Sequence, residues 1–255
     1  MQDVVTIPIY AVPKILHVTY SSLDQLPTEL RDNLHAWQNL GWDVHFHSHD
    51  DNLTLISTWY SKFMPLYKAL TQEQQDIFVR YVYLHKYGGL ACDLSYKPLK
   101  DIYSQIQSEV LCFYSNTFRD YLTTDMFGGS AGHPFWMDVM NSCVATAPFW
   151  AFIDPIKTSF CVGSYVLSGV AKRSKHPIRY APLDWLPSSA CDSVHSDGSA
   201  FSKSKSKEDD IWVGVYCYRK QLAIGLATFV GLIVCLLFLN IGGTTSTKLV
   251  KRNYF

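Results

Sequence analysis

Apolar runs separated by polar or glycine-marked breaks fill most of the chain, and their spacing changes along it. Residues 14–19, after Pro13, make a short β-type run, and 42–46 make a second. Between them, 30–40 carries apolar residues at helical spacing and stops at Gly41. The polar stretch 47–52 reads as a solvated loop. Residues 73–87 form the strongest amphipathic helix, which Gly88 and Gly89 break, and apolar runs follow at 90–94 and 110–114. Strands alternating with helices predict an α/β domain with a largely parallel sheet.

One segment departs from this alternation. Residues 222–241 are twenty uncharged positions whose clearly polar members are Thr228 and Asn240. A helix of that length spans a hydrocarbon core, and a globular helix would show a polar stripe. This predicts a single C-terminal transmembrane helix. Residues 202–210, with alternating serine and lysine and then three acids, read as a solvated linker. The expected organisation is a globular domain over 8–187, a late segment and linker over 188–221, the transmembrane helix over 222–241, and a short basic tail over 242–255. Residues 1–10 lack a basic region followed by a long apolar stretch, so they do not read as a signal peptide.

Composition changes this picture little. Lysine plus arginine number 22 and aspartate plus glutamate 22, so no global field favours nucleic acid. The seven cysteines include no Cys-x-x-Cys pair, so a zinc site built on cysteine is not expected. The cluster His47, His49, Asp50 and Asp51 offers metal-ligating types, but reads as part of the solvated loop. Asn52-Leu53-Thr54 is a glycosylation sequon, relevant only to a lumenal domain.

The chemistry concentrates in residues 76–99. A helix ends at Tyr87, glycines permit the stop, and an apolar strand carries Asp93 to its end. Carboxylates at strand ends face the crevice where α/β sheets bind ligands. Arg80, on the preceding helix, has a fixed fork of donors that can meet a diphosphate.

Arg80, Tyr81, Leu84, Tyr87, Gly88, Gly89, Asp93 and Leu99 fall in register with the signature of family 32 glycosyltransferases, which the segment resembles. That signature runs from an Asp-x-x-Arg-Tyr helix through a Tyr-Gly-Gly turn to an Asp-x-Asp strand end. Residues 12–17 resemble the family's opening strand, 41–47 its second strand region, and 132–136 a mid-domain element. Residues 192–199 faintly resemble a late His-x-x-Gly-Ser motif. The resemblance implies a nucleotide-diphospho-sugar transferase-like fold of the GT-A type. It also implies a divalent cation, commonly Mn2+, and transfer with retention. The expected substrates are a nucleotide sugar, with GDP-mannose the nearest donor, and a glycan or inositol phosphoceramide acceptor. A short chain with a membrane anchor is most similar to inositol phosphoceramide mannosyltransferases, which implies a Golgi or endoplasmic reticulum membrane with the domain on the lumenal side. Carried over residue by residue, Asp93 and His195 are catalytic. His17, Thr19, Asp76, Arg80, Gly88 and Gly89 bind the donor, and Asp93 with Ser95 holds the metal.

The departures from the pattern open a second reading. Ser95 stands where the family has its second aspartate, which removes one charge from the metal site. Asp76 lies four residues before Arg80 rather than three, so it is expected to pair with Arg80 at i,i+4 on the surface. Val162, Gly163 and Ser164 replace Thr-Gly-Pro, and Ala200 replaces a late tryptophan. Three functions therefore stand side by side: an active transferase, a weak or inactive homologue serving as a regulatory subunit of an active partner, and a tail-anchored cytosolic protein.

Overall fold

The computed structural model describes residues 12–20, 24, 26–106, 109–115, 120–146, 154–186 and 199–203. All belong to the first of two compact units, Met1–Lys205 and Ser206–Phe255. The predicted transmembrane span at 222–241, its flanks and the late motif around His195 lie outside the described residues. Among the described residues no helix is long and apolar enough to cross a membrane.

In chain order the elements are β1 (Ile15–Thr19), α1 (Thr28–Asn39), β2 (Asp43–His47), α2 (His49–Trp59), α3 (Met64–Ala69), α4 (Gln72–Tyr87), β3 (Gly89–Cys92) and β4 (Tyr96–Pro98). Then come β5 (Val110–Tyr114), β6 (Leu122–Gly129), α5 (Pro134–Thr146), α6 (Asp154–Cys161), α7 (Ser164–Arg173), β7 (Arg179–Tyr180) and β8 (Phe201–Lys203). Six strands form one mixed sheet in the order β2-β1-β3-β6-β5-β7, and β4 pairs with β8 in a small ribbon. The pairings β1–β2, β1–β3 and β5–β7 are parallel. β6 runs antiparallel to both of its neighbours, β3 and β5. The fold is thus mixed α/β around a sheet rich in parallel pairs.

Side chains of a strand alternate between faces, and the two halves of the core follow that alternation. Leu16, Val18, Leu90, Cys92, Leu111, Phe113 and Met126 point to the side packed by Leu34 and Trp37 of α1 and by Trp185 and Phe201. Ala91, Val110, Cys112 and Phe127 point to the other side, against α4, α5 and α7. By the same alternation His17 and Thr19 face α4, and the register sets His45 beside His17 and His47 beside Thr19.

Helix α4 is the centre of that second layer. Thr71 and Gln74 cap its start reciprocally, satisfying backbone donors that a helix N-terminus otherwise leaves open. Gly88 ends it at φ +68 and Gly89 follows at φ +103, a region that side chains with a Cβ rarely adopt. A Cβ on Gly89 would stand 2.5 Å from the Ile15 carbonyl oxygen, and one on Gly88 would stand 2.7 Å from the Ala131 nitrogen. The two glycines let β3 lie directly against β1.

The stretch read as a solvated loop at 47–52 is instead the end of β2 and the start of α2. Ser48 and Asp51 form a capping box, so the polarity there is that of a helix N-terminus. Asn52 within it is 1% exposed. Its side-chain oxygen accepts a hydrogen bond from the Tyr83 hydroxyl at 2.9 Å, so the sequon is not displayed on the surface.

Candidate active site

A cleft of about 400 Å³ opens where β1 and β3 end, between α4, β6 and the start of α7. Thr19, Asp76, Arg80, Asp93, Thr124, Asp125 and Gly163 contribute to its wall. Its floor is the Arg80 guanidinium, which is 7% exposed. Nη2 donates to Asp93 Oδ2 at 3.2 Å and Nη1 donates to the Thr124 carbonyl at 3.2 Å. Nε has no partner among the described residues. The head group reaches past α4 into the seam between β3 and β6, so its ion pair is with Asp93 and not with Asp76.

Burial alone would lower the Arg80 pKa, but Asp93, Asp125 and Asp76 outweigh it and hold the guanidinium charged. For Asp93 burial pushes upward, and the Arg80 charge with the Ser95 hydrogen bonds prevails, holding the carboxyl below the usual carboxylate range. Burial raises the pKa of Asp76 against the opposing pull of Arg80. Its carboxylate accepts from Gln72 Nε2 at 3.2 Å. Asp76 is half-buried in the cleft wall rather than on the outer surface where its spacing from Arg80 had put it.

Ser95 serves Asp93. Its backbone N–H donates to Asp93 Oδ1 at 2.9 Å, closing a turn after β3. Arg80 and Ser95 thus each hold one oxygen of a carboxylate whose side chain is still 42% exposed to the cleft. Facing it is Asp125, which the sequence reading missed. Asp125 accepts from the Tyr96 hydroxyl at 3.0 Å and from Lys203 Nζ at 3.4 Å. The backbone joins the two acids directly, the Asp93 N–H donating to the Asp125 carbonyl at 2.7 Å. A single aspartate inside a largely buried strand carries no motif; only the antiparallel return of β6 brings it beside Asp93.

Of the predicted donor contacts, Thr19, Asp76 and Arg80 meet in the cleft, and the Thr19 hydroxyl, buried at 8% exposure, has no partner among the described residues. His17, Gly88 and Gly89 are not part of its wall. His17 is fully buried, its Nε2 bonded to the Gly88 carbonyl at 2.8 Å, so this trio braces the α4–β3 turn. His195 lies outside the described residues. Gly163 and Ser164, the last two of the three positions set against Thr-Gly-Pro, line the cleft at the start of α7. Gly163 provides no side-chain cap, so backbone donors at that helix start are open to an anion.

The residues also test the expected metal. Among the described residues, no group of three carboxylate, imidazole or thiolate donors within reach of one ion includes Asp93; the group that does form is His17, His45 and His47. Asp93 therefore suits a cation that takes most of its ligands from phosphate and water, as Mg2+ and similar ions do beside nucleotides.

No family model matches the chain, and no curated protein matches it. Solved structures do, among them one titled "PaToxG Glycosyltransferase". It is 8% identical, covering 64% of this chain and 69% of its own length, with a TM-score of 0.47.

Proposed function

We propose that this chain is a glycosyltransferase that takes a nucleoside-diphosphate sugar in the Arg80–Asp93 cleft. The observation that carries the reading is a permanently charged guanidinium, buried at a cleft floor, with one donor still unpartnered. This guanidinium and the uncapped start of α7 line the same cleft, at the end of a parallel strand pair. Both groups are anion donors, and the leaving group of sugar transfer is a dianionic or trianionic diphosphate. In this reading Arg80 and the α7 backbone hold the diphosphate, and Thr19 takes a hydroxyl or phosphate oxygen of the donor. Asp93, with the phosphates, would hold a divalent cation, which supplies electrostatic stabilisation of the leaving group. The finer form implied by the family resemblance is mannose transfer from GDP-mannose with retention, to a glycan or inositol phosphoceramide. In the same form, 222–241 anchors a lumenal domain, with His195 contributing to the site.

The test is turnover of nucleotide sugars by the detergent-solubilised full chain, with and without Mn2+. Asp93→Asn, which keeps an oxygen for Arg80 and removes the charge, should reduce turnover to background with the fold retained. Full turnover by that variant would remove the assignment. Protease protection in sealed microsomes tests the lumenal side; the buried Asn52 makes a glycan shift there a poor readout.

The second reading, an inactive homologue acting as a regulatory subunit, is favoured by the same carboxylate. Ser95 brings no second charge, and Arg80 already neutralises Asp93. Nucleotide-sugar binding without turnover would select it.

A further inference from the structure

We propose that His17, His45 and His47 form a binding site for one Zn2+-class ion, separate from the cleft and independent of the sugar-transfer reading. One ring nitrogen from each of the three lies within 4.8 Å of the others. Tetrahedral zinc–imidazole bonds of about 2.0–2.1 Å need only modest closure from such a set. The pleat explains the meeting. Positions 45 and 47 share one face of β2, and the β1–β2 register sets 17 directly beside 45 on that face.

What separates this trio from a packed aromatic cluster is that two of its rings each have an acceptor oxygen on one nitrogen, which sets the tautomer and leaves the other nitrogen a lone pair. His17 Nε2 is 2.8 Å from the Gly88 carbonyl oxygen, which can only accept. That contact fixes the proton on Nε2 and leaves the Nδ1 lone pair directed at His47 Nε2, 3.0 Å away. His45 Nε2 is 2.9 Å from Asp43 Oδ2, a carboxylate oxygen that accepts its proton, and in that tautomer Nδ1 is the nitrogen with a lone pair to give an ion. A backbone carbonyl on one ligand histidine and a carboxylate on another are the outer contacts that metal-binding imidazoles use to set tautomer and raise basicity. Without an ion, His47 must present an Nε2 proton to His17; with one, that proton sits on Nδ1 and Nε2 turns ligand.

The surroundings suit an ion that prefers nitrogen. Tyr83 stacks on His47 with ring centroids 3.6 Å apart, and Tyr87 tilts over His17 at 6.1 Å. Three imidazoles select Zn2+, Co2+, Ni2+ or Cu2+ over Mn2+, Mg2+ and Ca2+, which favour oxygen. No fourth His, Cys, Asp or Glu joins the group among the described residues, and His45 is 41% exposed, so water completes the shell. The bound ion would tie the β1–β2 edge to the turn that ends α4.

The test uses the full chain, stripped with a chelator and titrated with Zn2+ and Co2+. About one equivalent should bind, with the visible absorption of four-coordinate Co2+ and a rise in Tm that chelation reverses. His45→Ala/His47→Ala should lose that equivalent. Asp43→Ala changes a residue that is 71% exposed, so it keeps the fold and should weaken Zn2+ about 10–100-fold. If Asp43→Ala and the double variant bind Zn2+ as the parent does, or if the parent takes up none, the site does not exist. Mn2+-dependent turnover plays no part in these readouts, so they stand or fall apart from the transferase assignment.

Discussion

One stripe of α4 serves two different chemistries. Positions 76, 80, 83 and 87 share that stripe by helical spacing. Its first half, Asp76 and Arg80, faces the end of β1 and holds charge in a buried setting. Its second half, Tyr83 and Tyr87, faces the buried His17 and the half-buried His47, whose imidazoles it helps keep neutral. Both halves are short of water, yet they resolve the cost of burial in opposite ways. Around Arg80, carboxylates on β3, on β6 and on α4 itself outweigh desolvation. Around His17 desolvation is the largest influence, and the pKa falls. The neighbours, not the depth, decide whether a buried titratable group keeps its charge.

The largest blow to both halves should come from their shared support. Gly89→Ala forces a Cβ to 2.5 Å from the Ile15 carbonyl at φ +103, against backbone that cannot yield cheaply. We expect a loss of about 4 kcal/mol or failure to fold, read by urea denaturation. Next, Arg80→Met should cost about 2–3 kcal/mol, less than for a fully buried pair because the Asp93 side chain is 42% exposed. The same variant should leave Zn2+ uptake by the histidines unchanged, separating the two halves of the stripe.

Acid should then distinguish them by window. His17 is held near 4 in the folded protein against 6.5 ordinarily, so the unfolded chain takes up the proton first and stability falls as pH drops from 6.5 towards 4. With the chelated protein the His17 share of that limb should amount to about 2–3 kcal/mol, and His17→Gln should remove that share and leave the share of His47, which is held down to about 3. Asp93 has its folded pKa below the ordinary 3.8, so its contribution is present above 3.8 and is lost only on further acidification. Asp76, raised by burial, works in the opposite sense and in the window above 3.8, where it partly offsets the histidine limb. The smallest expected effect is that of Ser95→Asp. Fold stability should move by less than about 1 kcal/mol, while apparent Mn2+ affinity in the cleft rises severalfold; no rise would place the cation elsewhere.

Much of this stripe could be read from the chain before any fold was known, because its signals are local. The helix ending at Tyr87, the glycine pair and the carboxylate at the strand end are neighbours in sequence, and 110–114 coincides with β5. What escaped reading depends on register between distant strands. Asp125 joins Asp93 only through the β3–β6 pairing, and His17 meets His45 only through β1–β2. His45 and His47 do carry a usable sign, two histidines at strand period, but the denser run of His47, His49 and the acids after them masks it. Those acids belong to a helix start: a capping box and a polar loop look alike until the backbone is seen.

The strand order also sets a timetable. β3 emerges during synthesis well before β6, and α7 follows later still, yet the Asp93 wall of the cleft needs Asp125 from β6 and Gly163 at the start of α7. From residue 93 to residue 164 a ribosome needs on the order of 4–14 s at usual rates. Through that interval Arg80 has only part of the anionic company that holds it in place. The pair of strands carrying the histidines, by contrast, is complete once β2 has followed β1, and α4 comes next. On this ordering the imidazole cluster forms early and the cleft late, so an ion captured by the histidines would act on a nascent chain, before there is a cleft for any substrate to enter.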